Sequence, residues 1–180
     1  MTVANDDLKR LVRTIPDYPQ PGVQFRDITP LLGDAFGLRQ CVLRLAELLR
    51  GVNAHKGAGV EARGFIVGGA VAAELGLGFV PVRKQGKLPY ETVGLDYELE
   101  YGSDRVEIHV DAFGPQERVI LIDDLLATGG TAMAAVDLFR TVGVEVAAAA
   151  FVIDLPDLGG YERLLNAKVP VFTLMDFPGT

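Results

Sequence analysis

The chain's most chemically suggestive residues are two adjacent carboxylates, Asp123 and Asp124, which follow the apolar run Val119–Ile122. That run is typical of a buried strand. After two leucines comes a small-residue loop, which consists of Ala127, Thr128, Gly129, Gly130 and Thr131. A helical apolar pattern follows the loop, and glycines at a helix N-terminus let backbone N–H groups approach an anion closely. We therefore predict a phosphate site beside a site for vicinal hydroxyls, which together fit a ribose 5-phosphate.

Residues 118–131 as a whole resemble the signature of the type I phosphoribosyltransferases, which use phosphoribosyl pyrophosphate (PRPP). The resemblance implies that the loop holds the 5′-phosphate and that the acid pair holds the ribose hydroxyls. A purely structural alternative is that Asp123 and Asp124 cap the strand and that the two glycines form a turn. We favour the ligand site because strand, acid pair and loop occur together in the appropriate order.

Transfer from PRPP requires cations that receive the pyrophosphate leaving group, and two other segments of the chain supply them. Arg63 precedes a glycine, so a guanidinium and close backbone amides can act together. Three more cations are Arg83, Lys84 and Lys87. We predict that they belong to a mobile loop from Arg83 to Gly94, which closes over substrate and excludes water. The alternative is a solvated surface turn.

Ala127 bears on the base that this site would accept. In hypoxanthine-guanine phosphoribosyltransferases an aspartate thought to act at the purine N7 occupies that place, so another acid must serve here. Glu100 is the candidate catalytic residue, because a neutral carboxylic acid can donate a proton to N7 while N9 attacks. The alternative is an exposed glutamate on a strand, in an acidic stretch with Glu98.

A closer resemblance, to the adenine phosphoribosyltransferases, extends over nearly the whole chain. The similar segments, in the same order, are Pro21–Ile28, Glu61–Phe65, Arg83–Pro89, Leu99–Gly102 and the acid pair with its loop. The resemblance implies that Phe25 stacks on adenine and that the backbones of Gln24 and Arg26 recognise the edge of the base. Ordinary packing against the first helix is the alternative for Phe25.

The same resemblance implies adenine and PRPP as substrates, AMP and pyrophosphate as products, and a homodimer. It implies that Mg²⁺ is coordinated by the pyrophosphate and hydroxyls of PRPP, with few or no direct protein ligands. Two other functions stay open. One is a xanthine-type phosphoribosyltransferase, since some of these also have alanine before the loop. The other is a PRPP-sensing regulator, although the chain has no appended helix-turn-helix and no basic face.

Strands and helices alternate along the chain, which predicts an α/β fold with a mainly parallel sheet flanked by helices. The resemblance adds a small N-terminal hood to this fold. We predict that a first helix begins after Asn5 and includes Ile15, and that the proline-rich segment Pro16–Pro30 lacks regular structure. Asp34 is expected to cap a long helix. The glycine-rich run Gly57–Val60 is a weak candidate for a strand.

Length and composition narrow the class of protein further. The chain has 180 residues, which suits a single domain over residues 1–180, and its net charge of −7 argues against a general nucleic-acid or acidic-membrane surface. No apolar stretch is long enough to span a bilayer and Met1–Gln20 lacks a leader pattern, so we expect a soluble, cytoplasmic protein. Cys41 is expected to pack in the core, and His55 and His109 are expected to be structural.

Overall fold

The computed structural model describes residues 5–98 and 103–179. The helices span Asp6–Lys9 (α1), Thr29–Gly33 (α2), Ala35–Leu49 (α3), Arg63–Glu74 (α4), Gly130–Thr141 (α5) and Gly160–Asn166 (α6). The strands span Arg13–Pro16 (β1), Gln24–Asp27 (β2), Lys56–Val60 (β3), Gly78–Lys84 (β4), Thr92–Glu98 (β5), Ser103–His109 (β6), Arg118–Leu126 (β7), Glu145–Asp154 (β8) and Val171–Asp176 (β9). A short 3₁₀ turn, Pro156–Leu158, precedes α6.

Seven strands form one sheet in the order β5-β6-β4-β3-β7-β8-β9. From β4 to β9 each neighbouring pair is parallel. Strand β6 runs antiparallel to both β4 and β5. Helices α5 and α6 pack on one face of the sheet, and α1 to α4 pack on the other. The predicted mainly parallel sheet flanked by helices is therefore confirmed.

The central strand β7 shows why its sequence is continuously apolar. Val119 and Leu121 lie in the core beneath α5, whereas Ile120 and Ile122 lie in the core beneath α3 and α4. All four side chains are fully buried. A strand covered on both faces needs apolar residues at every position, so its sequence does not alternate.

The glycine-rich segment does form a strand, β3, and its glycines permit close packing. A Cβ atom on Gly59 would overlap the backbone carbonyl of Gly64 in α4. A Cβ atom on Gly57 would lie 3.0 Å from the Cβ atom of Ala72 in the same helix. Because these positions lack side chains, α4 lies directly on β3, and its first residue, Arg63, reaches the carboxyl end of the sheet.

The N-terminal prediction was wrong in two respects. Helix α1 ends at Lys9, and Ile15 belongs to β1, where it lies opposite Phe25 of β2. The segment predicted to be irregular contains β2 and the first two residues of α2. Pro30 is compatible with the helix because it occupies one of the first two helical positions, where no N–H bond is needed. The antiparallel pair of β1 and β2 lies outside the main sheet and corresponds to the predicted hood.

The predicted loop from Arg83 to Gly94 is also wrong at both ends. Arg83 lies in β4 and Gly94 lies in β5, so the connection is limited to residues 85–91. Pairing with β6 extends both strands. The carboxylate of Glu107, only 6% exposed, accepts a hydrogen bond from the Gly86 N–H over 3.0 Å and so anchors the connection.

Two smaller predictions concern α3 and the membrane. The side chain of Asp34 accepts a hydrogen bond from the Gly37 N–H over 2.7 Å, so it caps α3 as predicted. Within residues 5–98 and 103–179, no helix combines the length and the apolar character needed to cross a membrane.

Candidate active site

A pocket of about 290 Å³ opens at the carboxyl ends of β3 and β7. Its lining comprises residues 60–63, which end β3 and begin α4, and residues 123–132, which end β7 and begin α5. The strands are parallel neighbours, so the segments that follow them meet at one edge of the sheet.

The small-residue loop forms one wall of the pocket. Gly129 has a φ of 76°, a left-handed conformation that favours glycine, and its carbonyl accepts the first bond of α5 from Met133 N at 2.9 Å. Gly130 and Thr131 form the first turn of this 12-residue helix. The N–H groups of a first turn have no partner within the helix, so this wall suits an anion such as a phosphate.

The acid pair lies across the pocket and is held in place from two sides. Asp124 is 6% exposed and accepts a hydrogen bond from Arg63 Nε. Asp123 Oδ1 accepts the backbone N–H of Asp124 at 2.9 Å. Burial raises the pKa of Asp123 well above its ordinary value, and the neighbouring Asp124 carboxylate raises it further. A Cβ atom on Gly64 would lie 2.5 Å from Asp123 Oδ1, so glycine is required for α4 to begin here.

Three of the predicted pyrophosphate-side cations are paired with carboxylates of the chain. The pairs are Arg63 with Asp124, Arg83 with Glu61, and Lys84 with Asp104. The Arg83 Nε to Glu61 Oε2 distance is 2.7 Å, and Glu61 itself lines the pocket. The Lys84 Nζ to Asp104 Oδ2 distance is 3.0 Å, and this hydrogen bond raises the pKa of Lys84. An anionic ligand must therefore compete with the chain's own carboxylates for these groups.

Lys87 and the Arg83 side chain are joined through the short connection after β4. Lys87 is exposed, and its carbonyl accepts a hydrogen bond from one terminal nitrogen of Arg83 at 3.0 Å. Its backbone N–H donates to Lys84 O at 3.3 Å. The connection thus places Lys87 near the other two cations without an observed contact to the pocket.

Phe25 lies close to the pocket, on the hood. Its ring centroid is 5.9 Å from Arg63 Cζ and 5.3 Å from the ring centroid of Tyr18, which meets it edge-on. On the same strand, Gln24 lies opposite Pro16, which has no N–H to donate, so the Gln24 carbonyl receives no bond from that partner.

The Arg26 side chain turns to other partners. Its guanidinium donates to Thr14 Oγ1 at 2.5 Å and to Pro178 O at 3.2 Å, and it lies 4.9 Å above the ring centroid of Phe177. The side chain therefore ties the hood to the C-terminal residues, and a role of Arg26 in recognising a base would fall to its backbone.

Comparison with known proteins identifies the family. Residues 58–163 match the family model described as phosphoribosyl transferase domain. The adenine phosphoribosyltransferase of Nitrobacter hamburgensis is 61% identical over 174 residues, which cover 97% of each chain, and that of Azorhizobium caulinodans is 60% identical over 173 residues, which cover 96% of this chain and 97% of the relative. The chain belongs to the adenine phosphoribosyltransferase family.

Solved structures of the family agree with this assignment. The adenine phosphoribosyltransferase of Thermoanaerobacter pseudethanolicus superimposes with a TM-score of 0.92 at 44% identity, over 96% of this chain and 99% of that one. The Giardia lamblia enzyme, solved with 9-deazaadenine, gives 0.90 at 34% identity, over 98% of this chain and 99% of that one. This family member is thus a phosphoribosyltransferase, an enzyme of the pentosyltransferase class.

The structure brings most of the predicted ligand-binding residues of this family member together. Lining the pocket are Arg63, Asp123, Asp124, Ala127, Thr128, Gly129, Gly130 and Thr131. Arg83 forms an ion pair with Glu61, which lines the pocket, whereas Lys84 forms one with Asp104, which does not. Glu100, the predicted catalytic residue, lies outside the described residues.

Sequence reasoning missed the residues of α6 that contact the small-residue loop, residues 127–131, which we call the phosphate loop from here on. Gly160, at the start of α6, donates its N–H to Ala127 O at 3.0 Å, and a Cβ atom there would overlap that oxygen. One terminal nitrogen of Arg163 lies 3.4 Å from Thr128 O. The adjacent glycines at 159 and 160 hinted at close backbone packing, but the sequence does not show which segment they contact.

Cys41 has the predicted structural role. It is fully buried in the core beneath α3, and burial raises the pKa of its thiol to about 12. A buried thiol that stays protonated at neutral pH is a poor nucleophile, which agrees with a packing role for this residue.

Proposed function

We propose that the chain transfers the 5-phosphoribosyl group of PRPP to adenine, giving AMP and pyrophosphate in a purine-salvage reaction. The observation that carries this proposal is that the phosphate loop, the acid pair and Arg63 line one pocket. All of them lie within residues 58–163, the segment that matches the family. Relatives of about 60% identity carry the name of this activity.

The phosphate loop and the acid pair would hold the ribose 5-phosphate end of PRPP. The N–H groups at the start of α5 and the Thr128 and Thr131 hydroxyls donate to the 5′-phosphate. Asp123 and Asp124 accept hydrogen bonds from the ribose 2′- and 3′-hydroxyls. These carboxylates also place negative charge near the anomeric carbon, where positive charge develops as the bond to pyrophosphate breaks.

Arg63, Arg83, Lys84 and Lys87 would receive the pyrophosphate. Mg²⁺ fits this site as part of the substrate, because Asp124 Oδ2 is already engaged by Arg63 and the oxygens of PRPP are ligands that Mg²⁺ prefers. When bound, the ion neutralises charge on the leaving group. Arg63 has a second role, since its contact with Asp124 orients the acid pair.

Adenine would lie against Phe25, with the backbones of Gln24 and Arg26 at its edge. The 5.9 Å distance between the Phe25 ring centroid and Arg63 Cζ supports a base site beside the pocket. Glu100 would hydrogen-bond N7 while N9 attacks the anomeric carbon, and its carboxylate would take up the proton that adenine loses as the bond from N9 to that carbon forms and the bond to pyrophosphate breaks. We also propose that the protein is a cytoplasmic homodimer, as the family resemblance implies.

Two alternatives keep a specific basis. Alanine at position 127 also occurs in some xanthine-type phosphoribosyltransferases. A PRPP-sensing regulator would use the same phosphate loop and acid pair without turnover. Both predict results different from ours when free bases are offered with PRPP.

The test is a panel of bases assayed with PRPP and Mg²⁺. We expect AMP from adenine, with kcat/KM for adenine at least about a hundredfold above that for hypoxanthine, guanine or xanthine, because a mismatched polar edge leaves buried groups unpaired. Chelation of Mg²⁺ should abolish turnover. A preference for xanthine would establish the first alternative, and nucleic-acid binding without turnover of any base would establish the second.

The role of Glu100 is tested by Glu100→Ala. Turnover should fall by roughly two to four powers of ten, while PRPP affinity changes little, because proton transfer occurs in the transition state. Glu98→Ala is the matched control, since it removes a neighbouring acid from the same stretch. Near-normal turnover of Glu100→Ala would assign Glu100 to an exposed strand surface instead.

A further inference from the structure

Tyr97 of β5 lies on the side of the sheet that α5 covers and close to Lys84, one of the proposed pyrophosphate ligands. Val93, Leu95 and Tyr97 of β5 pack against the core on the side of α5, which begins in the phosphate loop. Strand β5 packs against α5, whose first turn includes Thr131. Tyr97 is not part of the pocket lining.

The Tyr97 hydroxyl contacts the ion pair between Lys84 and Asp104. Tyr97 Oη donates to Asp104 Oδ2 at 3.4 Å, and the same oxygen lies 3.0 Å from Lys84 Nζ. Tyr97 and Asp104 are opposite each other in the antiparallel pairing of β5 and β6, so strand register fixes their contact. The other Asp104 oxygen accepts the Arg105 N–H at 2.8 Å.

We propose that Tyr97 is a positioning residue, whose hydroxyl stabilises Asp104 when Lys84 turns from that carboxylate to the pyrophosphate of PRPP. The pairing of β5 with β6 holds the hydroxyl in place. This inference rests on the proposed function, because it requires Lys84 to bind pyrophosphate.

The exposures of the pair support this division of roles. The Lys84 side chain is 57% exposed and can move, whereas the Asp104 side chain is 22% exposed and stays with the sheet. When the ammonium leaves, a largely buried carboxylate loses a charged partner. The Tyr97 hydrogen bond offsets part of that loss, because hydrogen bonds to charged groups are stronger than neutral ones. Burial raises the pKa of Tyr97, so its hydroxyl keeps the proton that it donates.

The experiment is Tyr97→Phe, which removes the hydroxyl and keeps the ring. Calorimetric titration should show that the affinity for magnesium pyrophosphate falls about five- to tenfold, while the affinity for ribose 5-phosphate changes by less than about twofold. Retained ribose 5-phosphate binding also shows that the variant is folded. Tyr90→Phe is the matched control, because Tyr90 is 57% exposed and makes its aromatic contact with His109. It should bind both ligands normally.

A double-mutant cycle tests whether Tyr97 acts through Lys84. In a Lys84→Met background, Tyr97→Phe should change pyrophosphate affinity by less than about twofold, because the ammonium that Asp104 would retain is gone. An unchanged loss in that background, or equal losses for both ligands, would overturn the role of Tyr97 alone. If the unaltered protein bound neither ligand, the proposed function would fall together with this inference.

Discussion

The phosphate loop and the pyrophosphate side of the pocket would bind similar groups by opposite means. The loop offers backbone N–H groups whose positions depend on glycines and on the close approach of Gly160. The pyrophosphate side offers side-chain cations that are already paired with Asp124, Glu61 and Asp104. The comparison indicates that the loop is sensitive to added atoms, whereas the pyrophosphate side is sensitive to altered charge.

Among the changes that test this comparison, the largest effect is expected from Gly160→Ala. The new methyl group would overlap Ala127 O and lie 2.9 Å from Gly129 N, so the phosphate loop must shift. Displacement of a bound substrate by about 1 Å can cost a hundredfold in rate, so kcat/KM for PRPP should fall by about that factor. The control is Gly51→Ala, where a Cβ atom meets nothing within 4 Å. A loss below about threefold would contradict a loop controlled by packing.

A smaller effect is expected at the boundary between the two regions, from Asp123→Asn. The amide can still accept one hydrogen bond from a ribose hydroxyl but carries no charge, so kcat/KM should fall about tenfold. At a pH high enough to ionise Asp123, the free energy of unfolding should rise by about 1 kcal/mol, because the variant then buries no charge beside Asp124.

The pH dependence of that gain follows from the raised pKa of Asp123. The folded protein binds this proton more tightly than the unfolded chain does, so wild-type stability falls as pH rises from about 3.8, the ordinary value, through the folded pKa. The stability advantage of Asp123→Asn over wild type should therefore be small near pH 3.8 and grow as pH increases. Thermal unfolding across this range checks the sign, and a difference that narrows with rising pH would contradict it.

The smallest effect is expected from Glu61→Gln. This change frees Arg83 from its carboxylate, so magnesium pyrophosphate should bind about two- to threefold more tightly at low salt. The gain should shrink at high salt, where exposed charges are screened, and ribose 5-phosphate affinity should change less. Glu47→Gln, which removes an exposed partner of Arg50 far from the pocket, is the control. Equal gains for both ligands would show that the two regions do not differ in this way.

Sequence alone predicted the parts of the site that depend on neighbouring residues. Strand β7, the acid pair and the start of α5 lie within one short segment, so their order in the chain fixes their order in space. The support from Gly160 and Arg163 was missed because it brings together residues more than 30 positions apart. Long-range pairing also explains the error at Ile15, whose helical spacing was overridden by pairing with Phe25.

The loop after β4 gives a third example. Polar composition and glycine predicted an irregular segment beyond Arg83, but β6 pairs with Arg83 and Lys84 and extends the strand. The weak strand β3 was the converse case: its glycines lowered its propensity but allowed α4 to pack closely. Composition therefore described local preference correctly, and contacts distant in sequence decided the outcome.

The contact between Ala127 and Gly160 has a consequence for synthesis of the chain. Leu155 also donates its N–H to Leu126 O, at the end of β7, over 2.9 Å, so the loop and the strand end before it are each bonded to a segment made some thirty residues later. A growing chain that ends before this segment contains the whole phosphate-binding sequence but lacks its support. If the loop binds the 5′-phosphate as proposed, we expect affinity for PRPP to be acquired late in synthesis, once the C-terminal part of the sheet is complete.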